Sequence, residues 1–208
     1  MEKLEKEAQI QKYFYFYQTK VLPEVEKLAT QKKEGYHGLY THTKSVVFRA
    51  IDYALELGEN PMPALFAAAC HDMARVHEFY DEQHGENAVP FAQKVMAKFP
   101  DKLTEQEQQS VLEAIKNHTT GTQANDYVSA CLWDADRTRL AWERGYYEKF
   151  FNTAYAKTVA SGSEAEYRAW QDKVLNGGDE REDGQRSSSQ KPANDLAQIM
   201  DRMNKRIK

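Results

Sequence analysis

The segment Pro63-Ala64-Leu65-Phe66-Ala67-Ala68-Ala69-Cys70 is apolar on every side, and His71 and Asp72 follow it at once. At helical spacing such a run offers no polar face to water, so other helices must enclose it. Its alanines let those neighbours approach closely. The segment is therefore expected at the centre of a helical bundle, delivering an ionisable pair from its C-terminal end. Such a pair needs hydrogen bonds or a cation to offset lost hydration. The partial negative charge of a helix C-terminus favours a cation there.

Other stretches repeat the helical period. Val46, Val47, Ala50, Ile51 and Ala54 share one face of a helix from about Thr43 to Leu57, which Gly58 stops. Ala88, Phe91, Ala92, Val95, Met96 and Phe99 follow the same spacing, and Pro100 ends that helix. Thr104-Glu105-Gln106-Glu107 is a capping box opening a helix that carries Leu112, Ile115 and His118. Val and Ile are scarce, Ala, Leu, Glu, Gln and Lys are plentiful, and no stretch keeps the two-residue alternation of a half-buried strand. The aromatic run Tyr13-Phe14-Tyr15-Phe16-Tyr17 lies between flanks rich in Glu, Lys and Gln and is read as a helical core anchor. The chain is expected to be all-α.

A length of 208 residues suits one domain, placed at 1–175. From Asn176 to Pro192 only Leu-free, Gly-, Ser- and charge-rich sequence occurs, so 176–192 is expected to be a flexible polar linker. Leu196, Ile199, Met200, Met203 and Ile207 then make an amphipathic C-terminal helix over 193–208, expected to dock on its own domain. A net charge of −4 gives no reason to bind nucleic acid or an anionic membrane. No apolar run approaches the ~20 residues needed to span a bilayer. Met1 to Glu7 lacks the apolar stretch of a signal peptide, and two lone cysteines, Cys70 and Cys131, make no disulfide framework. A cytoplasmic location is expected.

The placement of the six histidines says more than their number. His42 lies four residues before Val46 and eight before Ala50, on the apolar side of that helix. His84 lies four before Ala88, at the mouth of the next. His118 lies three after Ile115 and seven after Val111. Counting by fours, Val128, Leu132, Asp136 and Leu140 form one stripe, so Asp136 is expected to face inward and Asp134 to be the less suitable ligand. Neutral imidazoles and carboxylates converging inside a bundle suit Fe, Mn, Zn or related cations. His37, between Gly35 and Gly38, and His77, in the polar stretch Val76 to Gln83, are read as surface residues.

In order along the chain, these motifs resemble the HD-domain metal-dependent phosphohydrolase superfamily. His71-Asp72-Met73-Ala74-Arg75 is similar to its His-Asp-x-x-Arg variant, and His84-Gly85-Glu86-Asn87-Ala88 to its His-Gly-x-x-Ala. Ala114-Ile115-Lys116-Asn117-His118-Thr119 resembles its Ala-Ile-x-x-His-Thr segment. Asp134-Ala135-Asp136-Arg137 resembles its Asp-Ala-Asp-Arg ending, with Thr138 where an apolar residue is usual. The resemblance spans roughly Gly38 to Lys157. It implies an HD-domain helical bundle with a C-terminal extension, holding one or two divalent ions (Fe, Mn, Zn, Ni, Co or Mg) through His42, His71, Asp72 and Asp136. With two ions, Asp72 bridges them and His84 and His118 complete the second site; with one, these two histidines contact substrate or protonate the leaving group.

The reaction then expected is hydrolysis of a phosphate ester or anhydride in a nucleotide or other small phosphorylated metabolite, by a metal-activated water. Asp72 and Arg75 are the candidate catalytic residues. Arg75, four residues after His71 and on its side if the helix continues, is the candidate phosphate clamp, and Arg137 a second. Two other readings stand beside this one: a mixed-valent di-iron oxygenase using the same six ligands, and a non-catalytic HD-fold sensing module. A homodimer is a possible assembly. The acidic pair that some nucleotide-hydrolysing members carry after the His-Asp is replaced here by Met73-Ala74-Arg75-Val76.

Overall fold

The computed structural model describes residues 2–78 and 81–176. The chain divides into two compact units, Met1–Glu164 and Ala165–Lys208. Among the described residues all regular structure is helical. The first unit runs α1 (Lys3–Phe16), a π-helical turn (Tyr17–Val21), α2 (Leu22–Leu28), a second π-helical turn (Leu39–Thr43), α3 (Lys44–Glu56), α4 (Pro61–Cys70), α5 (His84–Met96), α6 (Glu105–Asn117), α7 (Tyr127–Arg144), a short 3-10 turn (Glu148–Phe150) and α8 (Ala154–Ser161). In the second unit, α9 (Glu164–Asn176) pairs Tyr167 with Trp170, ring centroids 5.3 Å apart. The expected linker, Asn176 apart, and the expected helix at 193–208 lie outside the described residues. No described helix is long and apolar enough to cross a membrane.

The apolar helix occupies the place its composition demands. α4 packs against α1, α2, α3, α5, α6 and α7, and its residues from Pro63 to Cys70 are all buried. Asn60 caps it by accepting the Met62 N–H, and Pro61 and Pro63 sit in its first turn, where a missing N–H costs nothing. α6 opens on the expected capping box: Thr104 Oγ1 accepts from Glu107 N–H and the Glu107 carboxylate accepts from Thr104 N–H at 2.8 Å. The aromatic run is helical, and it buries Phe14 and Tyr17.

α3 departs from the expected single apolar face, because every residue from Val46 to Ala54 is buried. Its polar members are absorbed by partners from distant helices. Arg49 Nε donates to Ala135 O at 2.7 Å, Asp52 pairs with Lys6 at 2.7 Å, and Tyr53 Oη meets Thr138 Oγ1 at 2.8 Å. α5 ends three residues before Phe99, and its start at His84 puts that histidine in the first turn.

Candidate metal centre

The chain leaves α4 at Cys70 and turns, so His71 to Ala74 form a tight bend rather than further helix. That bend directs His71 and Asp72 into the bundle. His42 arrives from the π-helical turn before α3, His84 from the first turn of α5, His118 from the end of α6 and Asp136 from the middle of α7. His42, His71, Asp72, His84 and His118 are all at most 4% exposed. His42 Nε2 lies 3.0 Å from Asp136 Oδ1 and 3.4 Å from His71 Nε2. His84 Nε2 lies 2.9 Å from Asp72 Oδ1 and 2.8 Å from His118 Nε2. The six residues singled out by spacing therefore meet in one cluster.

Backbone carbonyls orient three of these rings. His71 Nδ1 donates to Ala68 O at 2.8 Å, His118 Nδ1 to Ile115 O at 2.7 Å, and His84 Nδ1 to Asp81 O. A carbonyl only accepts, so Nδ1 carries the proton and each Nε2 presents a lone pair inward. Those lone pairs face each other and the Asp72 carboxylate, an arrangement of acceptors that repel until positive charge joins them. Asp72 Oδ2 is buried and makes no hydrogen bond among the described residues, with imidazole nitrogens of His71, His37 and His42 at 3.5, 3.6 and 3.7 Å. The donor set fits a divalent cation. Three groups could hold one: His42, His71 and Asp136; His71, Asp72 and His118; and His37, His42 and Asp72.

Electrostatics point the same way. Burial pulls the His71 pKa down to about 4 against the opposing charges of Asp72 and Asp136, leaving the ring neutral near pH 7. Burial alone would raise Asp72 and Asp136; against it, His71, His118, His37 and His84 draw Asp72 well below the usual carboxylate range and His42 does so for Asp136, a pull these rings exert only when their inward nitrogens carry protons and that a cation would exert in their place.

Arg75 reaches the cluster by the bend instead of by a continued helix. Its Nε donates to Asp72 Oδ1 at 3.0 Å and its Nη2 to His84 Nε2 at 2.8 Å. Arg137 is committed to backbone, donating to the carbonyls of Phe150, His118 and Gly121. Both arginines line the cavity above the cluster, about 250 Å³, together with Tyr36, Thr119 and Arg139. On α7 two faces are buried. Val128 and Leu132 of the expected stripe are buried, Asp136 faces the cavity and Leu140 is 38% exposed, while Asp134 is fully buried on a second face with Cys131, Ala135 and Thr138. Asp134 accepts four hydrogen bonds from Asn152 and Thr153, at 2.8 to 3.0 Å, and touches none of the six.

His37 also differs from expectation. Its side chain is only 18% exposed and its Nδ1 faces Asp72 Oδ2. The loop is fastened from three directions: His37 N–H donates to Glu78 Oε1 at 2.9 Å, Gln31 Nε2 to His37 O at 2.7 Å, and Arg139 to Tyr36 O. No periodic signal reveals this, because two of the fasteners, Glu78 and Arg139, come from distant parts of the chain. His77 is exposed, as expected.

A family model for the HD domain matches residues 39–204. A predicted HD superfamily hydrolase from an uncultured Thermotogales bacterium, known from a crystal structure, shares the fold with a TM-score of 0.56 at 23% identity, over 76% of this chain and 91% of that one. A search of curated proteins found no match to this sequence. With the family model covering most of the chain and an all-helical bundle gathering its histidines and aspartates around the end of α4, the chain belongs to the HD domain family.

Proposed function

We propose that this protein is a metal-dependent phosphohydrolase acting on a nucleotide or another small phosphorylated metabolite through a metal-activated water. One observation carries the reading: buried imidazole lone pairs and ionised carboxylates converge, with a guanidinium among them, at the floor of an open cavity. His42, His71, Asp72 and Asp136 would hold the ion, and His84 and His118 a second one. When bound, the metal lowers the pKa of its water and offsets charge on the phosphoryl oxygens. Asp72, buried among inward-facing imidazole nitrogens, would supply the negative charge that retains the cation. The Ala68, Asp81 and Ile115 carbonyls fix the rings, so little reorganisation is needed on binding. Arg75 brings a planar donor fork to the cavity, suited to a phosphate. Arg75 now donates to Asp72 Oδ1 and His84 Nε2, so its fork is held at the cavity floor beside the residues that would hold a second ion.

The test is anaerobic purification, elemental analysis and a phosphate-release assay over a panel of phosphorylated metabolites. One or two transition-metal ions per chain and phosphate release that Asp72→Ala abolishes are expected. Chains without metal, or activity indifferent to Asp72→Ala, would overturn the proposal. Two irons with O₂ consumption and no phosphate release would replace it with the oxygenase reading, which uses the same six residues. Bound ligand without turnover would favour a sensing module.

A further inference from the structure

A second and larger cavity, about 410 Å³, opens beside the metal centre. The two cavities share Thr119, Arg137 and Leu140, so they adjoin at Arg137, the residue after Asp136. Its volume lies in the range of small-molecule sites. One lining residue, Gly121, packs against Trp133 so closely that a Cβ there would lie 2.4 Å from the indole, whose Nε1 donates to Ala114 O at 2.9 Å.

The walls are tied together as well. Arg137 bridges the carbonyls of His118 and Gly121 on one side and of Phe150 on the other. Asn152 fastens the second wall, donating to Asp134 and accepting the Ala124 N–H at 2.9 Å. Of the six large apolar side chains left exposed among the described residues, three line this one cavity: Leu140 at 38%, Tyr147 at 61% and Phe150 at 40%. Apolar rings gathered in one concavity mark a ligand site. No carboxylate lines it, Arg137 is spent on carbonyls, exposed Arg144 adds a cation to its wall, and the remaining polar groups include the hydroxyls of Thr119, Thr120 and Thr122.

We propose that this cavity receives the leaving group of the substrate, and that this group carries a flat ring without positive charge, as a nucleoside or an aryl alcohol does. The inference rests on the phosphohydrolase reading and narrows its substrate. Water oxygen bonds to phosphorus, the ester P–O bond breaks with its electrons on the alcohol oxygen, and that oxygen takes a proton. The ring-bearing alcohol and inorganic phosphate are the products. Tyr147 and Phe150 supply stacking faces, and the threonine hydroxyls can meet a polar ring edge.

The experiment compares naphthyl phosphate, a nucleoside monophosphate and glycerol phosphate on the metal-loaded full chain, by calorimetric titration and by phosphate release. Wild type is expected to bind at least one ring-bearing ester about tenfold or more tighter than glycerol phosphate. A Tyr147→Ala, Phe150→Ala double variant should lose that preference through KM, with glycerol phosphate unaffected. A control with Tyr147→Phe and Phe150→Tyr should keep it. Preference for the nucleoside ester assigns the ring to a nucleobase, and preference for the naphthyl ester to an aryl alcohol. Equal affinity for all three esters in wild type, or a ring preference that survives loss of both side chains, overturns the proposal. Ring-selective binding without phosphate release from any ester would leave the cavity assignment standing and remove the hydrolase reading.

Discussion

Asp134 and Asp136 stand two residues apart and do different work. Asp134 accepts four hydrogen bonds that hold Asn152 and Thr153 against α7, whereas Asp136 faces His42 at 3.0 Å. Asp134→Ala leaves buried donors without their acceptor, at a cost of about 3 kcal/mol, while metal content per folded chain should hold. Asp136→Ala should strip metal with a smaller loss of apo-protein stability, because it removes a partly exposed carboxylate that faces the cavity, with the His42 ring nearest to it. Thermal melts paired with elemental analysis separate the two, and equal metal loss in both variants would contradict the assignment. Helical counting brought Asp136 to the cluster but identified only one of the two buried sides of α7. Both sides pack, one on the bundle and one on the segment at 150–153, and a single-stripe argument sees only the first. His37 makes the same point from a loop. A His37→Ala change should weaken metal affinity by about tenfold, read by competition with a chromophoric chelator. Unchanged affinity would return His37 to a packing role.

At the level of elements, α4 was legible from its composition because an apolar run has only one stable environment. The capping box placed the start of α6, and Gly58 the end of α3. The two π-helical turns were not legible, since each inserts extra backbone without any residue type that announces it. α5 and α6 meet through Gly85, where a Cβ would lie 2.8 Å from Ile115 O and 2.9 Å from His118 Nδ1. Gly85→Ala therefore sets two effects against each other. Helix propensity favours Ala by about 1 kcal/mol. The clash forces α5 and α6 apart and costs about 1–3 kcal/mol. It also disturbs the hydrogen bond by which Ile115 O orients His118. The variant should be less stable than wild type by denaturant titration and should hold metal more weakly; a stabilised variant with full metal content would show that the helices yield without cost.

For the whole molecule, the bundle encloses charge that it cannot neutralise alone. Four imidazoles with three fixed tautomers and two ionised carboxylates share one buried cluster, and Arg75 is the guanidinium within hydrogen-bond reach of Asp72. Folding without metal brings these acceptors together uncompensated, so the ion's binding energy is part of the stability of the fold. An ion present at a thousand times its Kd contributes about 4 kcal/mol. For a chain of this size each kcal/mol moves the melting midpoint by about 2–4 °C. Chelation should therefore lower the midpoint of wild type by about 10 °C, and restoring the metal should reverse it. Asp72→Ala should melt at one temperature with or without chelator. It should also be no less stable than chelated wild type, since the buried carboxylate it removes is the group that most needs the cation. A wild-type midpoint indifferent to chelator would mean that Arg75 and protonated imidazoles balance the cluster by themselves, and the fold would owe nothing to a metal.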